Sequence, residues 1–465
     1  MRRKVDRIDI EVNFWKTSPK IGANWDVMVE EGENDAKLMQ IIDRLKVPYN
    51  RTIDDVEKLI ISRERRQHKE RRLKDESGKT TLDLNQYHSY EDMVGWVKRL
   101  QHDYPGLVRA MTIGKSRENR TIYAVEIGSP NMSQRVFYID GGIHAREWGA
   151  SHSTLYFIHQ LTSRKDEPDI AKYLKDITFV IVPNVNPDGY EFTRSSTNPH
   201  IRLWRKNRSP LRCSEDYWGR TRCCRGVDLN RNFDFHFMES GSSSDPCSEI
   251  YQGSESFSEP ETRAVRDLLL SPKYKGRVDA FITLHTYSQI WIHPYGHKKD
   301  SYPADIKDLL DVGRKAAKAL QSVYNTKYVV GSGADTLYPA SGGSEDWAKK
   351  VAAIKYVYLL ELRPDEKMWD GFILPESELI PTAKETWAGI KVVADAVLAL
   401  KNGANSTATI KTNGSQKRYH FGNGQEGSCF DVRHACKKWV ADREDLCQTV
   451  PIFMRTNCAY SCGTC

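Results

Sequence analysis

The chain has no apolar run long enough to cross a membrane. Its longest apolar stretches, such as Val351 to Leu360 and Phe179 to Val182, fall well short of the ~20 residues that a transmembrane helix needs. An N-terminal apolar segment is also missing, because the chain opens with the polar string MRRKVD. No signal peptide is therefore visible, and we expect the natural chain to begin further upstream.

A strong excess of one charge is missing as well. The 69 Lys and Arg against 62 Asp and Glu leave a net charge of +7, spread along the chain. Such a mild balance gives no reason to expect nucleic-acid binding. With 465 residues, 39% hydrophobic and 28% charged, the composition is that of a globular protein of two or three domains, which excludes collagen, coiled coils and a wholly disordered chain.

The ten cysteines fall into two clusters, four between residues 213 and 247 and six between residues 429 and 465. Both counts are even, as is typical where disulfides form in an oxidising compartment. Asn-x-Ser/Thr glycosylation sequons agree with secretion and occur at Asn50, Asn131, Asn207, Asn405 and Asn413. We therefore expect a secreted protein whose C-terminal end is held by disulfides, although spacing alone leaves their pairing open.

Composition and periodicity divide the chain into four expected segments: 1–82, 83–402, 403–428 and 429–465. The first segment is predicted to be a small α/β unit, with strands at Ile8–Phe14 and Trp25–Val29 and helices at Ala36–Leu45 and Asp54–Arg66. It runs into a basic tract, Ser62–Lys74, without an apolar face. This tract is either a solvated helix end or, because Arg63-Glu-Arg-Arg66 has a dibasic pattern, a processing site.

The second segment alternates β-rich apolar runs with amphipathic helical stretches. This alternation predicts one α/β domain with a mostly parallel sheet. The candidate strands are Ile122–Glu126, Arg135–Asp140, Ile177–Val182, Val278–Leu284 and Ile354–Glu361. The third segment is rich in Gly, Asn, Ser and Thr and is typical of a flexible linker.

Three candidate strands lead into residues that can bind a metal or move a proton. The strand Arg135–Asp140 is followed by two glycines and then by His144 and Glu147. The strand Val278–Leu284 is followed by His285, and the strand Ile354–Glu361 ends at Glu361. Sites of α/β sheets lie at the carboxyl ends of strands. Two His and one Glu are a ligand set of catalytic zinc, whereas each residue alone is more typical of a satisfied core position. Burying an unpaired carboxylate at the end of an apolar strand costs free energy unless the group has a partner or a functional role. We therefore expect Glu361 to be a general base.

Longer motifs surround these residues. They are GIHAREW (142–148), RLWRKNRS (202–209), GVDLNRNFD (226–234), DPCSEIYQG (245–253), LHTYSQIWIHPYG (284–296), TLYPASGGSEDW (336–347), LELRP (360–364) and IPTAKETW (380–387). With them the chain resembles the zinc metallocarboxypeptidases of the pancreatic A/B type over about 300 residues. The resemblance implies a mixed, mostly parallel central sheet flanked by helices, one zinc ion and a monomer that hydrolyses peptides.

The resemblance also implies a role for each matched residue. The zinc ligands fall on His144, Glu147 and His285, the base on Glu361, and the group that stabilises the oxyanion on Arg205. The substrate-binding residues are Arg146, Asn230, Arg231, Tyr338 and Glu345. Because Asn230 and Arg231 would clamp a free carboxylate, the enzyme is expected to be an exopeptidase that acts on the C-termini of peptides and proteins.

The substrate side chain is expected to be Lys or Arg. In the family the residue after GGS lines the side-chain pocket and is apolar in A-type and Asp in B-type enzymes, and here it is Glu345. Gly333 matches a small B-type residue that leaves room for a long side chain. The longer Glu favours Lys over Arg. The alternative is that Glu345 turns away into a surface ion pair and leaves an apolar, A-type pocket.

Both ends of the chain resemble known modules. VNFWKTS (12–18) with WDVMV (25–29) is similar to the family's inhibitory propeptide, which implies a zymogen, an activating protease and a mature start between residues 67 and 83. Residues 429–465 resemble the ShK-toxin-like module. The pairing that this resemblance implies is Cys429 with Cys465, Cys436 with Cys458, and Cys447 with Cys462.

In the catalytic domain the resemblance implies a Cys224–Cys247 bridge, and Cys213 then pairs most simply with Cys223. It also implies a cis bond between Arg363 and Pro364. Two rival classes fit the sequence less well. A non-catalytic binding or matrix protein is disfavoured because every catalytic position is filled, and a propeptide-free regulatory carboxypeptidase is disfavoured by the match over residues 12–66.

Overall fold

The computed structural model describes residues 12–16, 24–64, 73–74, 80–128, 135–215, 219, 221–365, 371–400 and 448. The chain forms two compact units, residues 1–402 and 403–465. The predicted linker and, apart from residue 448, the six-cysteine module lie outside the described residues. The same holds for Asn131, Asn405 and Asn413.

The first unit is built on an eight-stranded sheet. Its strands are β5 (Val108–Lys115), β6 (Thr121–Ile127), β7 (Arg135–Gly141), β8 (Ile177–Val182), β11 (Val278–Ser288), β12 (Ile290–His293), β13 (Val329–Ser332) and β14 (Tyr356–Asp365). Their order across the sheet is β13-β12-β14-β11-β7-β8-β6-β5. Four of the seven pairings are parallel, namely β7 with β8, β7 with β11, β11 with β14, and β12 with β13. The sheet is therefore mixed and mostly parallel, as the sequence predicts.

Twelve α-helices are described. They are α1 (Glu33–Leu45), α2 (Val56–Glu64), α3 (Tyr90–Asp103), α4 (Trp148–Ser163), α5 (Pro168–Asp176), α6 (Pro187–Arg194), α7 (Pro199–Arg202), α8 (Pro260–Leu270), α9 (Ile306–Tyr324), α10 (Gly333–Thr336), α11 (Ser344–Lys350) and α12 (Leu379–Ala399). Several begin where the sequence supplies a start signal. Ser89 accepts the N–H of Asp92 before α3, and proline opens α5, α6 and α8.

Helices cover both faces of the central strands, which explains why these strands are apolar throughout rather than alternating. In β7, Phe137 and Ile139 pack in the core that includes α4, α9 and α12, whereas Val136 and Tyr138 pack in the core under α8 and α11. All six residues of β8 are buried. Site residues therefore have access to solvent only at the strand ends and in the loops.

Within the first compact unit, the described residues 12–16 and 24–64 form a short α/β element, the N-terminal unit. Its strands β1 (Val12–Lys16) and β2 (Asp26–Val29) pair antiparallel, and α1 packs Leu38, Ile41 and Ile42 against them. The predicted helices and the second strand are confirmed, while residues 1–11 and the centre of the basic tract lie outside the described residues. Two further short strands, β3 (Leu73–Lys74) and β4 (Thr80–Thr81), precede the eight-stranded sheet in the chain.

Several local predictions are tested by the fold. Strands β11 and β14 extend beyond the predicted ends, to Ser288 and Asp365. Bridges join Cys213 to Cys223, across the hairpin of β9 (Arg212–Glu215) and β10 (Thr221–Cys224), and Cys224 to Cys247. The Arg363–Pro364 bond is cis. No helix among the described residues is long and apolar enough to span a membrane.

One expected glycosylation sequon is not available. The side chain of Asn207 is fully buried and donates to Glu259 Oε2 at 2.8 Å and to Glu261 Oε2 at 3.0 Å. A glycan on its amide nitrogen would break both bonds and could not reach solvent. Asn50, in contrast, lies exposed between α1 and α2.

Candidate active site

His144, Glu147 and His285 meet in the interior, with one ligand atom from each lying within 4.8 Å of the others. The Nδ1 atoms of the two histidines are 3.1 Å apart, and Glu147 approaches them with Oε1 at 2.8 Å from His144 and Oε2 at 3.1 Å from His285. All three residues are at most 3% exposed. Two imidazole nitrogens and a carboxylate that face one buried point are donors suited to zinc. The predicted ligand set is therefore brought together.

The parallel strands account for this meeting. Strand β7 lies next to β11, and β11 lies next to β14, so their carboxyl ends share one edge. After β7 the chain turns sharply at Gly142, which has a φ of +68°. A β-carbon built on this glycine would lie 2.4 Å from the Asn184 side-chain nitrogen, so both the backbone conformation and the lack of space exclude a side chain. This turn leads directly to His144 and Glu147.

Asp228 is a central residue that the sequence pattern did not reveal. Its Oδ1 lies 3.1 Å from His144 Nε2, and its Oδ2 accepts Nε–H and Nη2–H of Arg205, both at 3.0 Å. Burial alone would raise the pKa of Asp228, but Arg205 and His144 hold it well below its usual range. The carboxylate thus contacts a predicted zinc ligand and a cationic side chain at once. Its only signal in the sequence is its place in GVDLNRNFD.

Arg205 is fixed on two sides. Asp228 holds its guanidinium, and its backbone oxygen accepts the N–H of Ala145, inside the loop that carries His144. The nearest oxygen of Glu147 is 3.9 Å from Nη1. Tyr338, the predicted capping residue, is half-buried. Arg205 therefore borders the metal ligands as a pre-oriented positive charge.

Asn230 and Arg231 lie on a 3-10 turn, Leu229–Arg231, that Asp228 caps. The Asn230 side-chain oxygen accepts the N–H of Ser344 at 2.9 Å. Arg231 donates from Nε to Gly241 O at 2.8 Å and from Nη1 to Asn230 O at 2.8 Å. This leaves part of the Arg231 fork without a partner among the described residues, beside the first turn of α11.

Glu345 points inward from that first turn. It is 7% exposed, and its Oε2 has no hydrogen-bond partner in the described part of the chain. A β-carbon built on Gly343 would lie 2.7 Å from each carboxylate oxygen, so the side chain folds back over that glycine. Burial, and after it the charge of Asp346, raises the pKa of Glu345 to about 7. The carboxylate is thus buried, and no ion pair joins it to another described residue.

Glu361 lies half-buried on β14, beside His285 on β11. Burial raises the pKa of Glu361 to about 8; His285 acts against this shift and Glu147 adds to it. No hydrogen bond ties the carboxylate to another described side chain. It is therefore free to meet a water or a substrate group next to the metal ligands.

The N-terminal unit covers one side of this site. Tyr287 donates its hydroxyl to Asp26 Oδ2 at 2.7 Å, and the rings of Trp15 and Phe372 lie 6.0 Å apart. Arg146 is 2% exposed, stacks 4.1 Å from the centre of the Phe372 ring and lies 3.5 Å from Asn13 Oδ1. The unit thus occupies the surface next to the predicted substrate residue Arg146.

Comparisons with known proteins agree with this geometry. Residues 93–389 match the family model of zinc carboxypeptidases, residues 4–62 the carboxypeptidase activation peptide, and residues 428–465 the ShK domain-like family. Carboxypeptidase B of Astacus astacus is 40% identical over 316 residues, which cover 68% of this chain and 98% of the relative.

An A-type carboxypeptidase also matches this chain over a comparable number of residues. Zinc carboxypeptidase A 1 of Anopheles gambiae is 34% identical over 374 residues, covering 80% of each chain. Among solved structures, thrombin activatable fibrinolysis inhibitor aligns with a TM-score of 0.73 and 30% identity over 86% of this chain and 96% of that chain. Both the A and the B type are therefore represented among the similar proteins.

Proposed function

Since this chain belongs to the zinc carboxypeptidase family and carries its activation peptide, we propose that it is a secreted zymogen whose mature form removes single C-terminal Lys or Arg residues. The family uses one zinc ion, and His144, Glu147 and His285 are the residues that would hold it. When bound, zinc would supply Lewis-acid chemistry, polarising a carbonyl oxygen and lowering the pKa of water to about 7.

Four side chains of the protein have separate roles in hydrolysis. Glu361, with no bonded partner among the described side chains and a raised pKa, accepts the proton of the attacking water and returns it to the leaving amine. Arg205, oriented by Asp228, donates to the oxygen on which negative charge develops. Tyr338 closes the site beside Arg205, and Arg146 binds the peptide upstream of the scissile bond.

Asn230 and Arg231 restrict the reaction to chain ends. The Arg231 guanidinium keeps N–H groups that no described residue occupies, and a planar fork suits a carboxylate bound through both oxygens. An internal peptide bond offers no carboxylate at this position. The enzyme therefore releases one residue per cleavage.

The preference for a basic residue rests on one observation, the buried carboxylate of Glu345, whose Oε2 is unpaired among the described residues. A cationic side chain gives this group a charge-assisted hydrogen bond. An apolar side chain would leave the carboxylate dehydrated and unpaired, or force it to take up a proton. Gly296 lies next to this carboxylate and Gly333 lies next to Gly296, because a β-carbon on Gly296 would lie 3.5 Å from Glu345 Oε1 and one on Gly333 3.5 Å from Gly296 Cα, so neither position carries a side chain here.

The test is kcat/KM of the activated enzyme for matched peptides that end in Lys, Arg, Leu and Phe. We expect Lys and Arg to exceed Leu and Phe by at least about tenfold, in keeping with a charge-assisted bond of about 1.5 kcal/mol or more. Glu345→Gln should abolish this ratio and Glu345→Ile should reverse it, while Glu91→Gln, an exposed carboxylate on α3, should change nothing. Faster turnover of Leu or Phe by the unmodified enzyme would assign it to the A type.

A further inference from the structure

Gly296 lies against the buried carboxylate of Glu345, where the proposed substrate side chain would end. A β-carbon built on Gly296 would lie 3.5 Å from Glu345 Oε1 and 3.8 Å from Asp346 Oδ2. On its other side, Gly296 Cα faces Gly333. The space left for a substrate side chain therefore depends on where the Gly296 backbone is held.

Asp346 holds that backbone. The N–H of Gly296 lies 2.9 Å from Asp346 Oδ1 and 2.8 Å from Oδ2, and the N–H of His297 donates to Oδ2 at 3.1 Å. The His297 ring adds a contact, with Nδ1 at 3.7 Å from Oδ2. Asp346 is fully buried, so these bonds are not weakened by solvent.

Asp346 also follows Glu345 directly on α11. A charged carboxylate disfavours the ionised form of a buried carboxylate next to it, and Asp346 acts in this way on Glu345. The other charged groups that act on Glu345 are His285 on β11, Glu361 on β14 and Arg231 on the 3-10 turn. His285 and Arg231 favour the ionised form, yet burial and Asp346 outweigh them and leave the pKa at about 7.

We propose that Asp346 is a positioning residue for basic specificity, which holds Gly296 against the Glu345 carboxylate and, by its charge, makes selectivity for a cationic substrate fall below neutral pH. The inference rests on the proposed preference for Lys and Arg. A protonated Glu345 offers a cation no charge, so only the ionised form distinguishes Lys from an apolar residue. Asp346 acts through Glu345 and Gly296 and touches no substrate atom.

The measurement is the ratio of kcat/KM for matched peptides ending in Lys and in Leu, from pH 8 to pH 6. The direct effect of the Glu361 titration on catalysis is common to both peptides and cancels in the ratio, and the substrate Lys stays charged throughout. The ionised fraction of a group with a pKa of about 7 falls about tenfold over this interval. We expect the ratio to fall by the same factor.

Asp346→Asn keeps an oxygen acceptor for Gly296 and removes the charge. Glu345 should then ionise at lower pH, and the ratio should fall less than about threefold between pH 8 and pH 6. Asp395→Asn, an exposed carboxylate on α12 that pairs with Lys172, is the matched control and should behave as the unmodified enzyme.

Two results would overturn the inference. A Lys-to-Leu ratio of the unmodified enzyme that stays constant from pH 8 to pH 6 contradicts it even if the Asp346 variant does not fold. A folded Asp346→Asn enzyme with the unmodified ratio and pH profile also contradicts it. Glu345→Gln distinguishes failure of the proposed function from failure of this inference. If the Lys-to-Leu ratio is unchanged in this variant, Glu345 does not set the basic preference, and the proposed function itself is contradicted.

Discussion

His285 and Glu361 are directly paired residues on the neighbouring parallel strands β11 and β14. Side chains at paired positions point to the same side of a sheet, so the strand register alone puts the proposed base beside a metal ligand. Slipping β14 by one residue would turn Glu361 to the opposite face. The eleven-residue length of β11 and its neighbours on both sides make such a slip costly.

We expect substitutions at His285 and at Glu361 to have different effects, the first on metal binding and the second on catalysis alone. Purified His285→Ala should contain almost no zinc, because a ligand is lost. Glu361→Gln should keep zinc at one ion per chain while kcat falls by about 10²- to 10⁴-fold, the usual contribution of a general base. Metal content by mass spectrometry and kcat on one peptide measure both. Stoichiometric zinc in His285→Ala would remove His285 from the ligand set.

The cluster of His144, Glu147 and His285 could be predicted from the sequence because each residue ends or follows an apolar strand, a local pattern. Asp228 could not be found in this way, since its partners His144 and Arg205 lie 84 and 23 residues away and meet it only through the tertiary fold. The same holds for Asp346, whose bonds to Gly296 span a loop and a helix. The edge strands β5 and β13 and the short strand β12 are not among the predicted strands. The four residues of β13 include exposed Val329 and a glycine, which hides the strand pattern.

Asp228→Ala is expected to lower zinc affinity about 10- to 100-fold, as loss of a partner of a metal-bound histidine generally does. It should also lower kcat at saturating zinc, because Arg205 loses both of its bonds to Oδ2. Zinc titration followed by kinetics at saturation separates the two effects. Full recovery of kcat with added zinc would contradict the second role.

Arg205→Ala should reduce kcat by about 10²- to 10³-fold and change KM little, because its charge acts on the oxyanion of the transition state rather than on the bound peptide. Arg208→Ala is a suitable control, since this side chain stacks on Phe192 and ion-pairs with Glu118 away from the metal ligands. A variant in which KM rises and kcat stays constant would instead assign Arg205 to ground-state binding.

His152 is expected to make stability depend on pH. It lies within α4, donates Nε2–H to Leu84 O at 2.8 Å and has no partner for Nδ1 among the described residues. Burial lowers its pKa to about 4, below the ~6.5 of an unfolded chain. Between these values the unfolded state binds more protons, so stability falls as pH drops from about 6.5 to about 4.

The expected loss is on the order of 2 kcal/mol, measured as the free energy of unfolding in urea at pH 7.5 and pH 4.5. His152→Gln keeps an N–H donor and cannot titrate, so it should lose less between the two pH values. His102→Gln, at a side chain that is 91% exposed, is the control. Equal losses in the unmodified protein and His152→Gln would show that His152 does not titrate in this range.

The zymogen is expected to hydrolyse long peptides at least about 100-fold more slowly than protein cut between Arg63 and Lys79. The reason is steric, because β1 and β2 lie on Tyr287, Phe372 and Arg146, where the substrate chain would approach. A 100-fold block needs only about 2.7 kcal/mol of retained contacts, which one hydrogen bond and one aromatic contact between apolar surfaces can supply.

Weakening these contacts should release activity without cleavage. Trp15→Ala combined with Asp26→Asn removes the ring contact with Phe372 and weakens the bond from the Tyr287 hydroxyl, so the uncut double variant should turn over a long peptide faster than the uncut unmodified protein. Tyr49→Ala, at a 60% exposed position of the same N-terminal unit, is the control and should stay inactive. If the uncut unmodified protein is already as fast as the cut protein, the N-terminal unit does not block the substrate path, and these contacts serve folding alone.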